Sequence, residues 1–304
     1  MKDTLIVITG PTAVGKTALC MDIAKKYGIP IINADSRQIY KGLKIGTAAP
    51  TKEQLKDVHH YFVGALNLND YYNASMFEQD VMKVLSKLFN DNNHIALMTG
   101  GSMMYIDSVC NGIDDIPTIE PEIREMLKKR FEHEGLDRML EELRVVDPEY
   151  YNLVDKKNHR RVIHGLEICY QTGKPYTYFR KKNKQKRPFN IIKIALNRSR
   201  EELYDRINNR VDKMMEEGLL DEVRQLYKYR NLNALNSVGY KEIFNFLDGI
   251  YTLEEAIEHI KSNTRRYARK QLTWYKKDKD IYWVHPDDKE EIMNYISQKY
   301  ENGL

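Results

Sequence analysis

The chain has 304 residues, 42% hydrophobic and 30% charged, enough to bury a sizeable core in one large domain or two smaller ones. No apolar run approaches the roughly 20 residues a membrane span needs, and the three cysteines, Cys20, Cys110 and Cys169, are too few and too scattered for a disulfide framework or a paired-cysteine metal site. The net charge of +4 hides two basic runs, eleven Lys or Arg against the single acid Glu167 over residues 156–187 and seven against none over 261–277, a pattern that on an otherwise acidic chain points to a polyanion, nucleic acid first.

"TLIVITG" is a short run rich in β-branched residues and reads as a strand. Its position at the start of the chain leaves no room for a secretory leader, so a cytoplasmic protein is expected. "GPTAVGKT" follows, and then "KTALCMDIAKKYG", whose Leu19, Ile23 and Ala24 share a helical face that ends at Gly28. "PIINADS" is a second strand, expected beside the first, with Asp35 and Ser36 at its C-terminal end. "NASMFEQDVMKVLSKLFND" is an amphipathic helix with Phe77, Val81, Val84, Leu85 and Leu88 inward and Asn73 or Ser75 as its cap. "HIALMTGGSMMYID" runs from a third strand through a glycine turn into a helix. From residue 117 the pattern becomes helical and strongly charged, with "PEIREMLKKRFEHEG", "LDRMLEELRVVD", "PEYYNLV" and "HRRVIHGLEICYQTG" divided by Gly and Pro. The strand "FNIIKIALN" and the helix "REELYDRINNRVDKMMEEG" then resume the earlier rhythm. A terminal helical half would leave the late strands "NIIKIALN" and "IYWVHP" without a sheet, so residues 117–188 read as an insertion between two parts, 1–116 and 189–304, of one α/β domain.

Gly10, four residues, then Gly15, Lys16 and Thr17 form the phosphate-cradling loop. Strand, loop and helix stand in the order that sets Gly10, Pro11, Thr12, Ala13, Val14, Gly15, Lys16 and Thr17 around an anion, with the N–H groups that follow Pro11 and a helix N-terminus turned toward it. Lys16 would neutralise phosphate oxygens, and the Thr17 hydroxyl can ligate Mg²⁺. The expected fold class is therefore a parallel, helix-covered sheet like that of the P-loop NTPases, with an all-helical insertion. Asp35, at a strand C-terminus, is placed to hold a metal, act as a general base or merely cap a turn. Its neighbours Ser36, Arg37, Gln38 and Tyr40 include side chains suited to base edges. Arg206 and Arg210, four apart, could bring a guanidinium to the phosphate pocket or pair with Glu202 or Asp205 at the surface. Arg265, Arg266, Arg269 and Lys270 make a basic helix face, followed by Trp274 and Tyr275, which either stack on bases or enter the core. These residues alone leave open a kinase, an RNA-binding module with a relic phosphate loop, or a transferase acting on RNA.

Together, "GPTAVGKT", "INADSRQIYKGLKIGTAAP", "VHHYF", "TGGSMMY", "RRVIHGLEI", "NSVGYKEI" and "TRRYARKQLTWY" resemble, in this order and over nearly the whole chain, the bacterial tRNA dimethylallyltransferases (tRNA isopentenyltransferases). The resemblance implies transfer of a dimethylallyl group from dimethylallyl diphosphate to N6 of the adenosine just 3′ of the tRNA anticodon, position 37. It implies Mg²⁺ as cofactor, the anticodon stem-loop as the bound part of tRNA, no membrane and no obligate protein partner, the chain acting as a monomer. The phosphate loop would then hold an isoprenoid's diphosphate, Asp35 would be the base, and Thr17 and Arg210 (Arg206 less so) would stabilise the leaving diphosphate. Ser36, Arg37 and Gln38 would contact the target adenine; Ser102, Arg124, Arg160, Arg161, Val162, Ile163 and His164, and Asn236, Ser237, Val238, Gly239, Tyr240 and Lys241 would touch tRNA. The chain departs from the family pattern at Ser102, where many relatives have Thr, at His164, where they often have Arg, and at Gly165, where they often have Ala.

Overall fold

Six short strands among the described residues build the sheet. In the computed structural model, which describes residues 2–91, 93–181 and 185–301, the first of them, Thr4–Thr9 (β1), is buried at every position, as a strand covered on both faces must be. The chain continues through Lys16–Tyr27 (α1), Ile31–Asn33 (β2), Lys52–Asp57 (α2), His60–Tyr61 (β3), Ala74–Asn90 (α3), Ile95–Thr99 (β4) and Met103–Asn111 (α4). Pro121–Val146 (α5), Pro148–Leu153 (α6), His159–Thr172 (α7) and Tyr176–Phe179 (α8) follow. Asn190–Leu196 (β5), Arg200–Glu216 (α9), Leu219–Leu226 (α10), Tyr240–Leu247 (α11), Leu253–Tyr275 (α12), Tyr282–Val284 (β6) and Lys289–Glu301 (α13) complete the described order.

The strand order is β3-β2-β4-β1-β5-β6, and every pairing is parallel. This is the helix-flanked parallel sheet expected of a phosphate-loop protein. One expectation fails: β2 is not beside β1. β4 lies between them, with Ile6 paired to Leu97 and Ile32 paired to Met98. Chain order does not dictate sheet order where crossovers are helical.

Alternation along β1 divides the core. Ile6 and Ile8 pack with Leu19, Ile23, Leu203, Ile207, Ala268, Ile292 and Ile296 on one face. Leu5 and Val7 pack with Phe77, Val81, Leu85, Val109 and Tyr275 on the other. Trp274 is packed against this second cluster, so the aromatic pair after the basic face is core. A third cluster, including Ile39, Leu43, Val211, Leu219, Tyr240 and Ile243, lies beneath the segment that follows β2. Local signals set the helix ends: Gly28 closes α1 at φ 65°, Asn73 (not Ser75) caps α3 by accepting from the Met76 N–H, and Thr252 and Glu255 form a capping box on α12. All three cysteines are free and buried.

The chain forms two compact units, Met1–Asn111 with Lys186–Leu304, and Gly112–Gln185, divided a few residues before the expected boundaries. In the second unit α5 is broken at Gly135, whose φ of 77° is non-helical. Its core holds Leu127, Met139, Leu143, Tyr150, Val162, Leu166 and Tyr176. Asp147, 1% exposed, accepts from the Tyr150 and Thr177 N–H groups and the Thr177 hydroxyl, each at 2.9 Å. Lys182 and Lys184 of the first basic run lie outside the described residues. Among the described residues no helix is long and apolar enough to cross a membrane.

Candidate active site

In a parallel sheet the C-terminal ends of the strands share one edge, where ligands of open α/β folds bind. Here β1 leads into the phosphate loop, β2 into Asp35, β4 into Gly100–Ser102 and β5 into Arg198.

The loop's own Lys16 and two arginines from the chain after β5 bind the carbonyls of the phosphate loop. Lys16 Nζ donates to Gly10 O (2.9 Å) and Pro11 O (2.8 Å), Arg206 Nε to Ala13 O (2.9 Å) and Arg198 Nε to Val14 O (3.0 Å). Arg210 Nη1 reaches the Thr12 hydroxyl at 3.3 Å. Gly10 is obligatory: its φ is 137°, and a Cβ there would lie 2.5 Å from Leu196 O. Burial, reinforced by the positive charge of Arg210, lowers the Lys16 pKa to about 8. Burial likewise pulls Arg210 below its ordinary value, opposed by Asp35. Two cations that repel each other beside one carboxylate are arranged for an added anion. Of the alternatives weighed for the arginine pair, Arg206 stays exposed while Arg210 is drawn in among these charges; Glu202 is paired with Arg198 instead.

Asp35 is anchored by one oxygen. Its Oδ1 accepts from the Arg37 N–H (2.9 Å) and the Gln38 N–H (3.2 Å), while Oδ2 lies against Gly101, where a Cβ would come within 2.7 Å of it. The turn cap and a carboxylate oxygen available for chemistry thus coexist in one residue. Ser102 donates to the Ser36 hydroxyl (2.9 Å) and accepts from the Ser36 N–H (2.8 Å). Arg37 and Gln38 are engaged with backbone: Arg37 donates to Asn233 O (2.6 Å) and Asn236 O (3.3 Å), and Gln38 Nε2 to Thr47 O (3.0 Å) and Ala48 O (3.1 Å).

The 236–241 segment splits by burial. Lys241 is exposed, Asn236, Ser237 and Val238 are half-buried, and Gly239 and Tyr240 are buried. The Tyr240 hydroxyl donates to Glu222 Oε1 (2.7 Å), and the same carboxylate accepts from the N–H groups of Lys44, Ile45 and Gly46 at 2.8–3.1 Å. Tyr240 therefore fixes the "KIG" turn and offers no side-chain surface.

Thr17 is exposed on the first turn of α1. One hydroxyl beside a phosphate cradle fits Mg²⁺, which keeps most of its waters and takes few protein oxygens alongside substrate phosphates. Glu202, His285 and Asp287 bring potential ligand atoms within 4.8 Å of one another, but the Arg198 guanidinium pairs with both carboxylates there, so that cluster is neutralised from within.

The family model for IPP transferase matches residues 38–278. The chain belongs to the IPP transferase family. This IPP transferase is 60% identical to tRNA dimethylallyltransferase 1 of Phocaeicola vulgatus over 97% of the chain and 98% of the relative. It is 59% identical to tRNA dimethylallyltransferase 1 of Bacteroides fragilis over 96% and 97%. The tRNA isopentenylpyrophosphate transferase of Bacillus halodurans superposes with a TM-score of 0.72 at 33% identity, covering 99% and 98% of the two chains. A eukaryotic dimethylallyltransferase solved while acting on tRNA reaches 0.82 at 26% identity, covering 99% of this chain and 80% of that one.

In the helical unit of this IPP transferase, Arg160 and Arg161 are exposed, Arg124, Ile163 and His164 are half-buried, and Val162 is fully buried. Val162 thus packs the unit's core, and α7 presents only its neighbours. His164 Nδ1 lies 3.1 Å from Glu167 Oε2. A Cβ on Gly165 would lie 2.7 Å from the Tyr150 ring, so this position takes glycine here. Sequence reasoning missed Gln271, Glu222 and Arg198. Gln271 did leave a signal: a polar residue on the inward stripe of α12, in line with Ala268 and Tyr275, is out of place unless it is bonded.

Proposed function

We propose that this chain, as a monomer, transfers a dimethylallyl group from dimethylallyl diphosphate to N6 of the adenosine at position 37, beside the tRNA anticodon, releasing diphosphate. The observation that carries this reading is that Asp35, after β2, and the phosphate loop, after β1, are linked through one turn: Gly101 lies against Asp35 Oδ2, and its carbonyl accepts from Gln271, which also holds the Thr12 N–H of the loop. A carboxylate able to take a proton thus stands beside the loop that Lys16 and Arg210 bond. The exocyclic amine is a weak nucleophile, so its proton must be accepted as nitrogen attacks the allylic carbon. Asp35 Oδ2 accepts that proton while the N–H groups of Arg37 and Gln38 fix the carboxyl through Oδ1. As the C–O bond to diphosphate breaks and the C–N bond forms, negative charge grows on the leaving oxygens. Lys16, Arg210 and the loop N–H groups oppose it, apart from those of Thr12 and Val14, which donate to Gln271 Oε1 and Pro11 O and so leave the anion-binding set expected from the sequence. Thr17 would hold Mg²⁺ against the substrate phosphates, where the ion supplies further charge neutralisation. The adenine must leave its stack, a cost of roughly a few kcal/mol. Phosphate contacts from exposed Arg160, Arg161, Arg266, Arg269 and Lys270 offset it.

The test is transfer of labelled dimethylallyl to an anticodon stem-loop in Mg²⁺ without ATP. Modified adenosine in the digest is expected. An absolute requirement for ATP, or phosphorylation of a simple hydroxyl compound, would transfer the assignment to a kinase.

A further inference from the structure

Gln271 on α12 is 0% exposed, and its amide joins two pieces of backbone that are distant in the chain. Oε1 accepts from the Thr12 N–H of the phosphate loop at 2.8 Å. Nε2 donates to Gly101 O, in the turn after β4, also at 2.8 Å. Tyr267, one helical turn earlier, donates to the same carbonyl at 2.8 Å. Because β4 separates β1 from β2, this turn is the element between the cradle and Asp35. The turn is pressed on Asp35 and in ordinary contact with Gln271, which holds the cradle: a Cβ on Gly101 would lie 2.7 Å from Asp35 Oδ2 and 3.7 Å from Gln271 Nε2. One neighbour of Gln271 is a fixed donor and the other a fixed acceptor. Only a side chain carrying one of each, in this orientation, satisfies both.

We propose that Gln271 is the positioning residue that holds the diphosphate cradle in register with the Asp35 carboxylate. The proposal rests on the prenyl-transfer reading. It touches neither substrate. Its effect is to keep the allylic carbon, fixed through the cradle, at attacking distance from the amine, fixed near Asp35. Misplacement by about 1 Å can cost about 10²-fold in rate. When the register slips, diphosphate still departs in the cradle but the amine is out of line. Water then takes its place: the allylic C–O bond to diphosphate breaks, a C–O bond to water forms, and the water proton passes to solvent, giving dimethylallyl alcohol.

The experiment measures that partition. Wild type and Gln271→Met are incubated with dimethylallyl diphosphate, Mg²⁺ and an anticodon stem-loop, and both modified RNA and dimethylallyl alcohol are counted. In the Met variant kcat for RNA modification is expected to fall about 10²-fold, with KM for dimethylallyl diphosphate and Kd for RNA within about 3-fold, and the ratio of alcohol to modified RNA to rise about 10-fold or more. A residue that served stability alone would lower both products together. If Gln271→Met does not fold, Gln271→Glu decides: it keeps the acceptor for Thr12 and sets an oxygen against the Gly101 carbonyl, so the ratio must rise in the same direction. An unchanged ratio in a folded variant overturns the proposal. Wild type that modifies no RNA overturns the prenyl-transfer reading itself, whatever Gln271 does.

Discussion

Lys16, Arg198, Arg206 and Arg210 each have a bonded acceptor on or beside the phosphate loop. Arg160 and Arg161 of the helical unit, by contrast, are exposed on α7, whereas Arg130, among the paired cations of that unit, is held by Glu134 and Glu142 at 2.8 Å each. The contrast separates two uses of positive charge. Around the loop, cations are fixed before substrate arrives, so a change in geometry should appear in the chemical step. On α7 they are solvated and can meet a polyanion at many angles, so a change should appear in binding and in its salt dependence.

The largest effect should come from the fixed side. Asp35→Asn retains an oxygen for the Arg37 and Gln38 N–H groups but cannot take the amine's proton. Prenyl transfer is expected to fall about 10²–10⁴-fold, with RNA affinity unchanged in a filter-binding assay. Activity near wild type would leave Asp35 as a turn cap only. Next come the two arginines of α9. Arg210→Ala should cost about 10²–10³-fold in kcat, because that guanidinium shares its surroundings with Lys16 and Asp35. Arg206→Ala removes one bond to the Ala13 carbonyl and should cost about 10-fold or less. The reverse order in single-turnover assays would exchange their roles.

On the exposed side, reversing both charges in Arg160→Glu/Arg161→Glu should weaken RNA binding about 10–10²-fold and reduce the slope of log affinity against log salt by about 1–2. Single-turnover rate at saturating RNA should stay within about 3-fold. A large loss of that rate with an unchanged salt slope would abolish the division between fixed and solvated charge.

How much of this was legible in the residues follows the range of the interactions. The phosphate loop, its flanking strand and helix, and the helix end at Gly28 are local, and each was readable; the cap of α3 was readable only as Asn73 or Ser75. Asp35 was readable as a carboxylate at a strand end; that β4 stands between it and the loop was not, because sheet order depends on crossovers. β3, two residues long, is too short to show a period. Gln271, Glu222 and Arg198 bind backbone groups 259, 177 and 184 residues away, and no local pattern announces such partners. Val162 and Tyr240 lie within matched segments yet are buried, since a motif also includes the residues that pack its helices.

The smallest expected effect concerns Lys16, and its sign sets it apart from general alkaline damage. The Lys16 pKa is lowered from 10.5 to about 8 by burial and by Arg210. The free protein therefore loses this charge as pH rises through about 8, while a bound diphosphate favours the charged form. Affinity for inorganic diphosphate, measured by calorimetry, should fall by up to about 10-fold per pH unit above that point. In Lys16→Met the affinity should be weaker and flat over the same range. Stability moves the other way: between about 8 and 10.5 the unfolded chain binds the proton that the folded chain has released, so this group makes folding more favourable as pH rises. Affinity that declines while the melting temperature holds or climbs identifies a preformed cationic cradle. If both decline together, or if Lys16→Met keeps the wild-type pH dependence, Lys16 is not the titrating group, and the loop is no more fixed than the arginines of α7.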